Sequence, residues 1–556
     1  MFFTISLYLS LAVCAAGLVH KIWSWLTISI DSDDRRYAPG RRLRASLAEM
    51  GQVVFSRRIF TLLKALLLDG FLQRRSLAHS FVAWLAHICI FTGFTGLLLF
   101  HAMGSWFTES LFGNYYSTLN PWLLLRDLLG VMVLLGVGLV VYRRLRVPGL
   151  RVTTRGMDRL AIVFLAVVLL SGFALQALKI TSAGSFERMQ TEYAGLGSPQ
   201  ELEALRSVWA ERYGVVFAPG LTSQDPQVLA LGEKLNEDSC VSCHSPAQHA
   251  FASYALAWAL RPAALLLDRV GGVDALYHLH FLTLFVGVAF LPYTKFLHMF
   301  SGPILLATNA VLNRQSMRPA ARAALRALEM DACSHCGTCT VHCSVAVALQ
   351  RMGNKNILPS EKLSALGEMV RGNNGNADHL AQITQGAYVC TDCQRCTRLC
   401  PLGINLNDLW VALKRNLALA GFEDPVQVAA RRAMEAALPS RRKTAVKLAA
   451  GRVAQDRMLS AQTEAFAECY TCQQCTNACP LVFMSPKPQE ELDLLPHQVI
   501  YALKLGLWDE AMGARLVWNC LTCYQCQESC PNRVQVTDIF YELRCQAVTA
   551  ANLREA

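Results

Sequence analysis

The sequence runs to 556 residues, 53% of them apolar and 17% charged, with a positive mean hydropathy; that is too long for one core and too apolar for an ordinary soluble enzyme. The formal charge of +11 does not point to nucleic acid, because Lys and Arg gather in short loops beside apolar runs, where membrane orientation puts them. Sixteen of the 21 cysteines fall into four regular groups with metal-ligand spacing, which excludes a secreted disulfide scaffold and asks for a reducing compartment.

In chain order, stretches long enough to cross a bilayer, about 20 residues each, lie near 2–28, 78–103, 121–142, 158–179 and 276–299. The first has no basic residue before its apolar run and no clear small-residue cleavage site, so it reads as a retained helix and not a signal peptide. The loop that follows it is rich in arginine (Arg35, Arg36, Arg41, Arg42, Arg44, Arg57, Arg58, Arg74, Arg75), as is the loop after the third stretch (Arg143, Arg144, Arg146, Arg151, Arg155). Both are expected to face the cytoplasm. The loop 104–120 has neither Lys nor Arg and is expected outside. The alternation then predicts a multi-pass protein of a prokaryotic inner membrane, with the N-terminus and residues 180–275 periplasmic and everything past Phe300 cytoplasmic.

The second stretch carries His79, His87 and His101, and the fifth carries His278, His280 and His298. Imidazoles are costly in lipid and usually mark a pathway or a cofactor. On one straight helix His280 and His298 stand about five turns, or 27 Å, apart on one face, and His87 and His101 about 21 Å apart with about 40° of rotation. Two antiparallel helices so furnished pair His87 with His298 near the cytoplasm and His101 with His280 near the exterior, each pair suited to a six-coordinate b-type haem. His79 and His278 are alternatives within the same helices, and interfacial histidines satisfied by backbone or water are the plainer reading of any one alone.

Between the fourth and fifth stretches, Cys240-Val-Ser-Cys243-His244 is the thioether attachment pattern of a c-type haem with its proximal ligand. A fragment of a zinc site is the alternative, but no second ligand pair lies nearby. The distal ligand stays open: Met189 is a candidate, and His249 is close enough to His244 in sequence to need an awkward loop. Arg126, Asp127 and Lys295, near helix ends, have no assigned role; they line a quinone or proton path or simply reach the interface.

After a basic, alanine-rich linker around 314–326 come Cys333, Cys336, Cys339 and Cys343, then Cys390, Cys393, Cys396 and Cys400-Pro401. The pattern repeats as Cys469, Cys472, Cys475 and Cys479-Pro480, then Cys520, Cys523, Cys526 and Cys530-Pro531. In this spacing three cysteines wrap one [4Fe-4S] cluster and the fourth serves its neighbour. Cys400 is therefore expected to complete the first set, Cys343 the second, Cys530 the third and Cys479 the fourth; zinc is the alternative, though zinc sites normally use two-cysteine knuckles. Cys14, Cys89 and Cys545 are left over and read as structural. The second stretch, His87-Ile-Cys-Ile-Phe-Thr-Gly-Phe, and the fifth, with Leu279-His280-Phe-Leu and Pro292-Tyr-Thr-Lys-Phe-Leu-His298, resemble the nitrate reductase gamma-type cytochrome b family, including the membrane subunits of sulfite-reduction and heterodisulfide-reductase complexes. That resemblance implies one haem per fifth-helix histidine and a quinone reacting near a haem; the c-haem insertion departs from it. Residues 465–548, through Cys469-Tyr-Thr-Cys-Gln-Gln-Cys-Thr-Asn-Ala-Cys-Pro and Trp518-Asn-Cys-Leu-Thr-Cys, resemble the C subunit of heterodisulfide reductase, and the first module is a looser copy.

The expected architecture is mainly α: a five-helix cytochrome b bundle over 1–180 and 256–310, a c-haem insertion at 181–255, helical ferredoxin modules at 325–420 and 461–556, and a linker at 421–460 whose Arg431, Arg432, Arg441, Arg442 and Lys443 form a solvated spacer or an acidic partner's docking patch. No adjacent Cys-Cys pair and no Gly-rich dinucleotide fingerprint occurs, so no organic substrate other than a quinone is expected. The chain is expected to pass electrons between a menaquinone pool or periplasmic cytochrome and a cytoplasmic flavoprotein or heterodisulfide-reductase-like protein, using two b haems, one c haem and four clusters. The competing reading is a non-catalytic conduit and anchor, and a pump component is a third.

Overall fold

The structure, a computed structural model, describes residues 1–422 and 463–555 apart from 114, 197, 315, 347, 373–376 and 470. Its regular elements are helices, and among the described residues the one pairing of extended segments is an isolated bridge between Ser182 and Val216. Five helices are long and apolar enough to cross a membrane: α1 (Phe2–Thr27), α2 (Phe81–Ala102), α3 (Trp122–Arg146), α4 (Gly156–Thr181) and α5 (Gly272–Ala289). The chain divides into two compact units, Met1–Thr27 with Ala38–Gly337, and Ile28–Tyr37 with Thr338–Ala556.

In the first unit α2 lies along α3, α4 along α5, and α1 along α5. Close approach of α2 and α3 depends on Gly93, where a Cβ would stand 2.6 Å from Val133 Cγ2 and 2.7 Å from the Leu129 carbonyl oxygen; small residues at such contacts let backbones meet in lipid, where packing drives association. Local signals set the ends. The Ser80 hydroxyl accepts from Ala83 N at the start of α2 (3.3 Å), and Arg143, Arg144 and Arg146 crowd the last turn of α3, where cations complement the helix dipole.

Two expectations need correcting. The fifth apolar stretch is not one helix to residue 299: α5 ends at Ala289, short turns follow at Leu291–Tyr293 and Lys295–Leu297, and His298 opens a new helix, α6 (His298–Val311). Pro292 is the cause, since it lacks an N–H and disfavours helical geometry in the residue before it. The straight-helix separation of His280 and His298 therefore does not hold. The alanine-rich run around 314–326 is also no linker. It becomes α7 (Pro319–Asp331), whose buried alanines pack on the helix Pro39–Val54 while Arg314 reaches Glu329 (3.1 Å) and Arg318 reaches Glu49 (3.3 Å). Alanine is the best helix former and allows close packing, and acidic partners absorb the arginines. At its far end Asp331 binds Lys21 (3.2 Å) and the Trp25 indole N–H (3.0 Å) of α1.

In the second unit the first module's buried Trp410 lies under the Lys362 ammonium, 5.2 Å from the ring centroid. Asp31 accepts from Arg415 at 3.0 Å. The second module has its own core of Phe466, Val499, Ile500, Leu516, Ile539 and Phe540, which also contains Cys475 and Cys526. The linker expected at 421–460 lies, from 423 onward, outside the described residues.

Candidate redox centres

Four histidines of the first unit come together in two pairs. His87 and His298 face each other with ring centroids 6.0 Å apart. Imidazole nitrogens sit about 2 Å from a metal they bind, so two rings on opposite sides of one ion have centroids roughly 6 Å apart; the pair fits a bis-histidine iron. Each ring also has its Nδ1 engaged: His87 donates to Gln73 Oε1 (2.8 Å) and His298 to the Lys295 carbonyl (2.5 Å). That fixes the tautomer and turns Nε2 toward the partner, as metal-binding histidines require. His79 and His278 are exposed, and His278 lies against Phe2 and Tyr277.

His101 and His280 line a second site, a cavity of about 690 Å³. His101 falls in a π-helical last turn of α2, Leu98–Ala102, a distortion common at functional sites, so its rotation from His87 is not that of a straight helix. Opposite, a Cβ on Gly172 would stand 3.0 Å from His280 Cε1, so any side chain there would crowd this ring, whose Nδ1 bonds Ser171 Oγ (3.1 Å). Arg126, Gln176 and Lys179 also line the cavity, and Arg126 Nε and Gln176 Nε2 are buried with no hydrogen-bond partner. Buried polar atoms ordinarily find partners, and a haem brings carboxylates for them. Asp127 is explained otherwise: it accepts from Ser253 Oγ and Ala252 N, both 2.6 Å, at the N-terminus of the helix Phe251–Leu260.

The same cavity reaches His244. Cys240 is buried and Cys243 half-buried, and Trp209 sets its ring edge-on to His244 with centroids 5.4 Å apart. Burial holds the His244 imidazole below its usual pKa, which keeps it neutral and able to bind a metal. The attachment loop is fastened to the loop between α2 and α3: Thr118 Oγ1 donates to the Cys243 carbonyl (2.7 Å) and Ser245 N to the Thr118 carbonyl (3.0 Å). The insertion and the base-free loop thus sit at one end of the bundle.

At the other end is a hub that sequence reading missed. Asp158, buried at the start of α4, pairs with Lys295 and accepts from Arg144 Nη1 (3.2 Å) and His335 Nδ1 (3.0 Å). Arg144 also donates to the His335 carbonyl (3.2 Å) and Arg143 to the Cys336 carbonyl (3.4 Å). A three-step path of direct contacts therefore links His298 through Lys295 and Asp158 to His335, which lies between Cys333 and Cys336.

In the second unit several of the cysteines stand near one another. Cys469, Cys472, Cys475 and Cys530 surround one small cavity; Cys479, Cys520, Cys523 and Cys526 are close enough to interact electrostatically, as are Cys343, Cys390, Cys393 and Cys396. Of the remaining set, Cys333 and Cys336 belong to the first unit and Cys339 and Cys400 to the second. Burial pushes the Cys333 thiol up to about 11 and the Cys396 thiol up to about 12, so ligation must displace protons.

All four motifs share one backbone device. The residues on either side of the second cysteine are left-handed: His335 and Gly337, Asp392 and Gln394, Thr471 and Gln473, Thr522 and Tyr524. Seven of these eight are not glycine, and non-glycine residues there carry strain of the sort that collects at functional sites. Each motif also has a cation on a loop carbonyl: Arg144 on His335, Lys414 on Cys390 (2.7 Å), Lys504 on Cys469 (2.8 Å) and Arg544 on Cys520 (2.5 Å). Thr471 and Thr522, β-branched, are the least suited to this conformation. Thr522→Gly is expected to stabilise the second module by on the order of 1 kcal/mol, read as a higher midpoint for thermal bleaching of its cluster absorbance. A lower midpoint would mean that the threonine side chain supports the loop more than its conformation costs.

Comparison with known proteins follows the same division. Residues 69–194 match the nitrate reductase gamma subunit family, and residues 329–404 and 462–531 match 4Fe-4S dicluster domains. The chain joins a nitrate reductase gamma-like domain to two 4Fe-4S dicluster domains. Its dicluster part is similar to the C subunit of the H(2):CoB-CoM heterodisulfide,ferredoxin reductase of Methanothermobacter thermautotrophicus, 30% identical over 101 residues, 18% of this chain and 51% of that protein. It is also similar to the second iron-sulfur C subunit of the CoB--CoM heterodisulfide reductase of Methanocaldococcus jannaschii, 33% identical over 85 residues, 15% of this chain and 41% of the relative. The D subunit of the dihydromethanophenazine:CoB--CoM heterodisulfide reductase of Methanosarcina barkeri is 26% identical over 110 residues, 18% of this chain and 26% of its own length. The chain spans about half the length of the first of these relatives, and less of the others. No solved structure matches it. The gamma-like domain with its apolar helices makes this a multi-pass membrane protein, and the dicluster domains make it an iron–sulfur protein: together, a membrane electron-transfer subunit of a redox complex.

Proposed function

We propose that this chain passes electrons between a cytoplasmic redox subunit and a menaquinone pool or periplasmic cytochrome, through four [4Fe-4S] clusters, two b haems and one c haem. The observation that carries the proposal is the His87–His298 pair, with centroids 6.0 Å apart at the end of the bundle where Asp158 and Lys295 meet the first cluster loop. His87 and His298 hold the inner b haem and His101 and His280 the outer one, while Arg126 and Lys179 take haem carboxylates. Cys240, Cys243 and His244 hold the c haem. The four cysteine sets are those expected from the spacing, with Cys400, Cys343, Cys530 and Cys479 as the exchanged ligands. Bound iron supplies one-electron redox chemistry, and the protein sets its potential through axial ligands, hydrogen bonds and burial.

The arginine-rich loops support a topology with the cluster modules in the cytoplasm and the insertion in the periplasm. The names of the heterodisulfide reductase relatives suggest a cytoplasmic partner of that kind, since this chain has no adjacent cysteine pair. The test is to add a menaquinol analogue to the oxidised, detergent-purified protein and follow the b and c bands separately. Rapid b reduction, blocked by a quinone-site inhibitor, is the expected result. Bands that respond to dithionite but stay dark with quinol until a partner is added would make the chain a conduit whose quinone chemistry lies elsewhere.

A further inference from the structure

Residues 180–275 contain two histidines, His244 and His249, and one methionine, Met189. His249 is exposed and does not line the cavity that reaches His244, whereas Met189 does. Met189 packs on the apolar cluster of Phe186, Leu205, Trp209, Tyr213 and Cys240, and Trp209 is the residue set against the His244 ring. The apolar cluster on which the thioether packs therefore also holds an attachment cysteine and the indole set against the proximal imidazole. Besides His244, the histidine and methionine side chains lining this cavity are Met189, His101 and His280. The two histidines come from α2 and α5 and serve the outer b haem. Met189 is left for the c haem.

We propose that the Met189 sulfur is the sixth ligand of the haem attached at Cys240 and Cys243, opposite His244. The inference rests on the c-haem reading above and adds a direction to it. Methionine–histidine ligation raises a haem's potential, so this haem holds an electron more tightly than the bis-histidine sites in the bundle. His101 and His280 line the same cavity, so a b haem held there would be placed to pass one electron to a c haem held at His244, the first going from ferrous to ferric and the second from ferric to ferrous, with no bond made and no proton moved. A one-electron acceptor of the cytochrome class outside the membrane then re-oxidises the c haem. Net flow runs outward, from the clusters to the insertion.

The test uses the full chain in detergent. Wild type is expected to show covalently bound haem on a denaturing gel, the long-wavelength charge-transfer band that a methionine sulfur gives ferric haem, and a c midpoint above both b midpoints. Met189→Ala is expected to keep the covalent haem and lose the band. Met189→His is expected to stay low-spin without the band, its midpoint shifted down toward the b haems, and His249→Ala to change nothing. A wild-type protein without the band, a band that survives in Met189→Ala, or loss of low-spin character in His249→Ala would overturn the assignment of Met189. No covalent haem in wild type would instead overturn the c-haem reading on which it rests. A c midpoint below the b haems, with the band present, would leave the ligand standing and refute the outward direction.

Discussion

His298→Leu is expected to remove one of two b haems per chain and leave the other. His298 is half of the pair whose rings face each other at 6.0 Å, and its partner His87 has its Nδ1 committed to Gln73, so the substitution leaves one imidazole of the pair in place and removes the other. The outer site does not depend on it: His101 and His280 sit in a separate cavity, with their own glycine clearance at Gly172. A c haem attached at Cys240 and Cys243 would be unaffected and should persist. The measurement is the haem-to-protein ratio with the reduced b and c bands resolved. The b band should halve and the c band stay constant, while quinol still reduces the outer haem but no longer exchanges electrons with the clusters. His278→Leu and His79→Leu, at exposed positions, should keep both b haems. Retention of both b haems in His298→Leu, or loss of one in His278→Leu, would sink the pairing.

The parts legible in the sequence are those in which one short stretch carries the whole signal. Each crossing helix is a single apolar run, and each cluster motif is a tight array of cysteines whose chemistry fixes its geometry, so the spans and the quartets could be read without a fold. The meeting of His87 with His298 was legible because both lie in long apolar stretches. The route to it was wrong for α5, where periodicity ran through Pro292 as if the helix were continuous. What could not be read is what long-range packing decides. Lys414, Lys504 and Arg544 look like ordinary surface cations in sequence, yet each reaches back 24 to 35 residues to a cluster-loop carbonyl. Arg126 and Asp127 are neighbours in sequence with opposite fates, one facing a cavity with an unpartnered nitrogen and the other capping a helix. The left-handed residues around each second cysteine had a cue only at Gly337. Asp158 gave none, because an acid at the start of a helix is what dipole and capping alone would select.

Asp158→Asn tests whether that acid does more than cap. The carboxylate is almost fully buried and faces Lys295, Arg144 and His335. Asparagine keeps the shape and one acceptor oxygen but leaves two half-buried cations, Lys295 and Arg144, short of their counter-charge. Breaking a buried ion pair by removing one partner costs about 3–5 kcal/mol, so the first unit's thermal midpoint should fall markedly. Its effect on redox chemistry should be local. Lys295 positions the carbonyl that holds His298, and Arg144 and His335 fix the loop of Cys333 and Cys336, so the inner b haem and the first cluster should both be disturbed while the outer haem and the second module's clusters stay intact. Asp158→Asn with Lys295→Met removes a cation together with its anion and should recover part of the lost stability, since neutral replacements of buried pairs are tolerated far better than half-removed ones. It should not restore electron transfer between the first cluster and the inner haem if the charged hub positions the two. Stability recovered together with full transfer rates would reduce Asp158 to a folding element, and wild-type stability in the single variant would remove even that role.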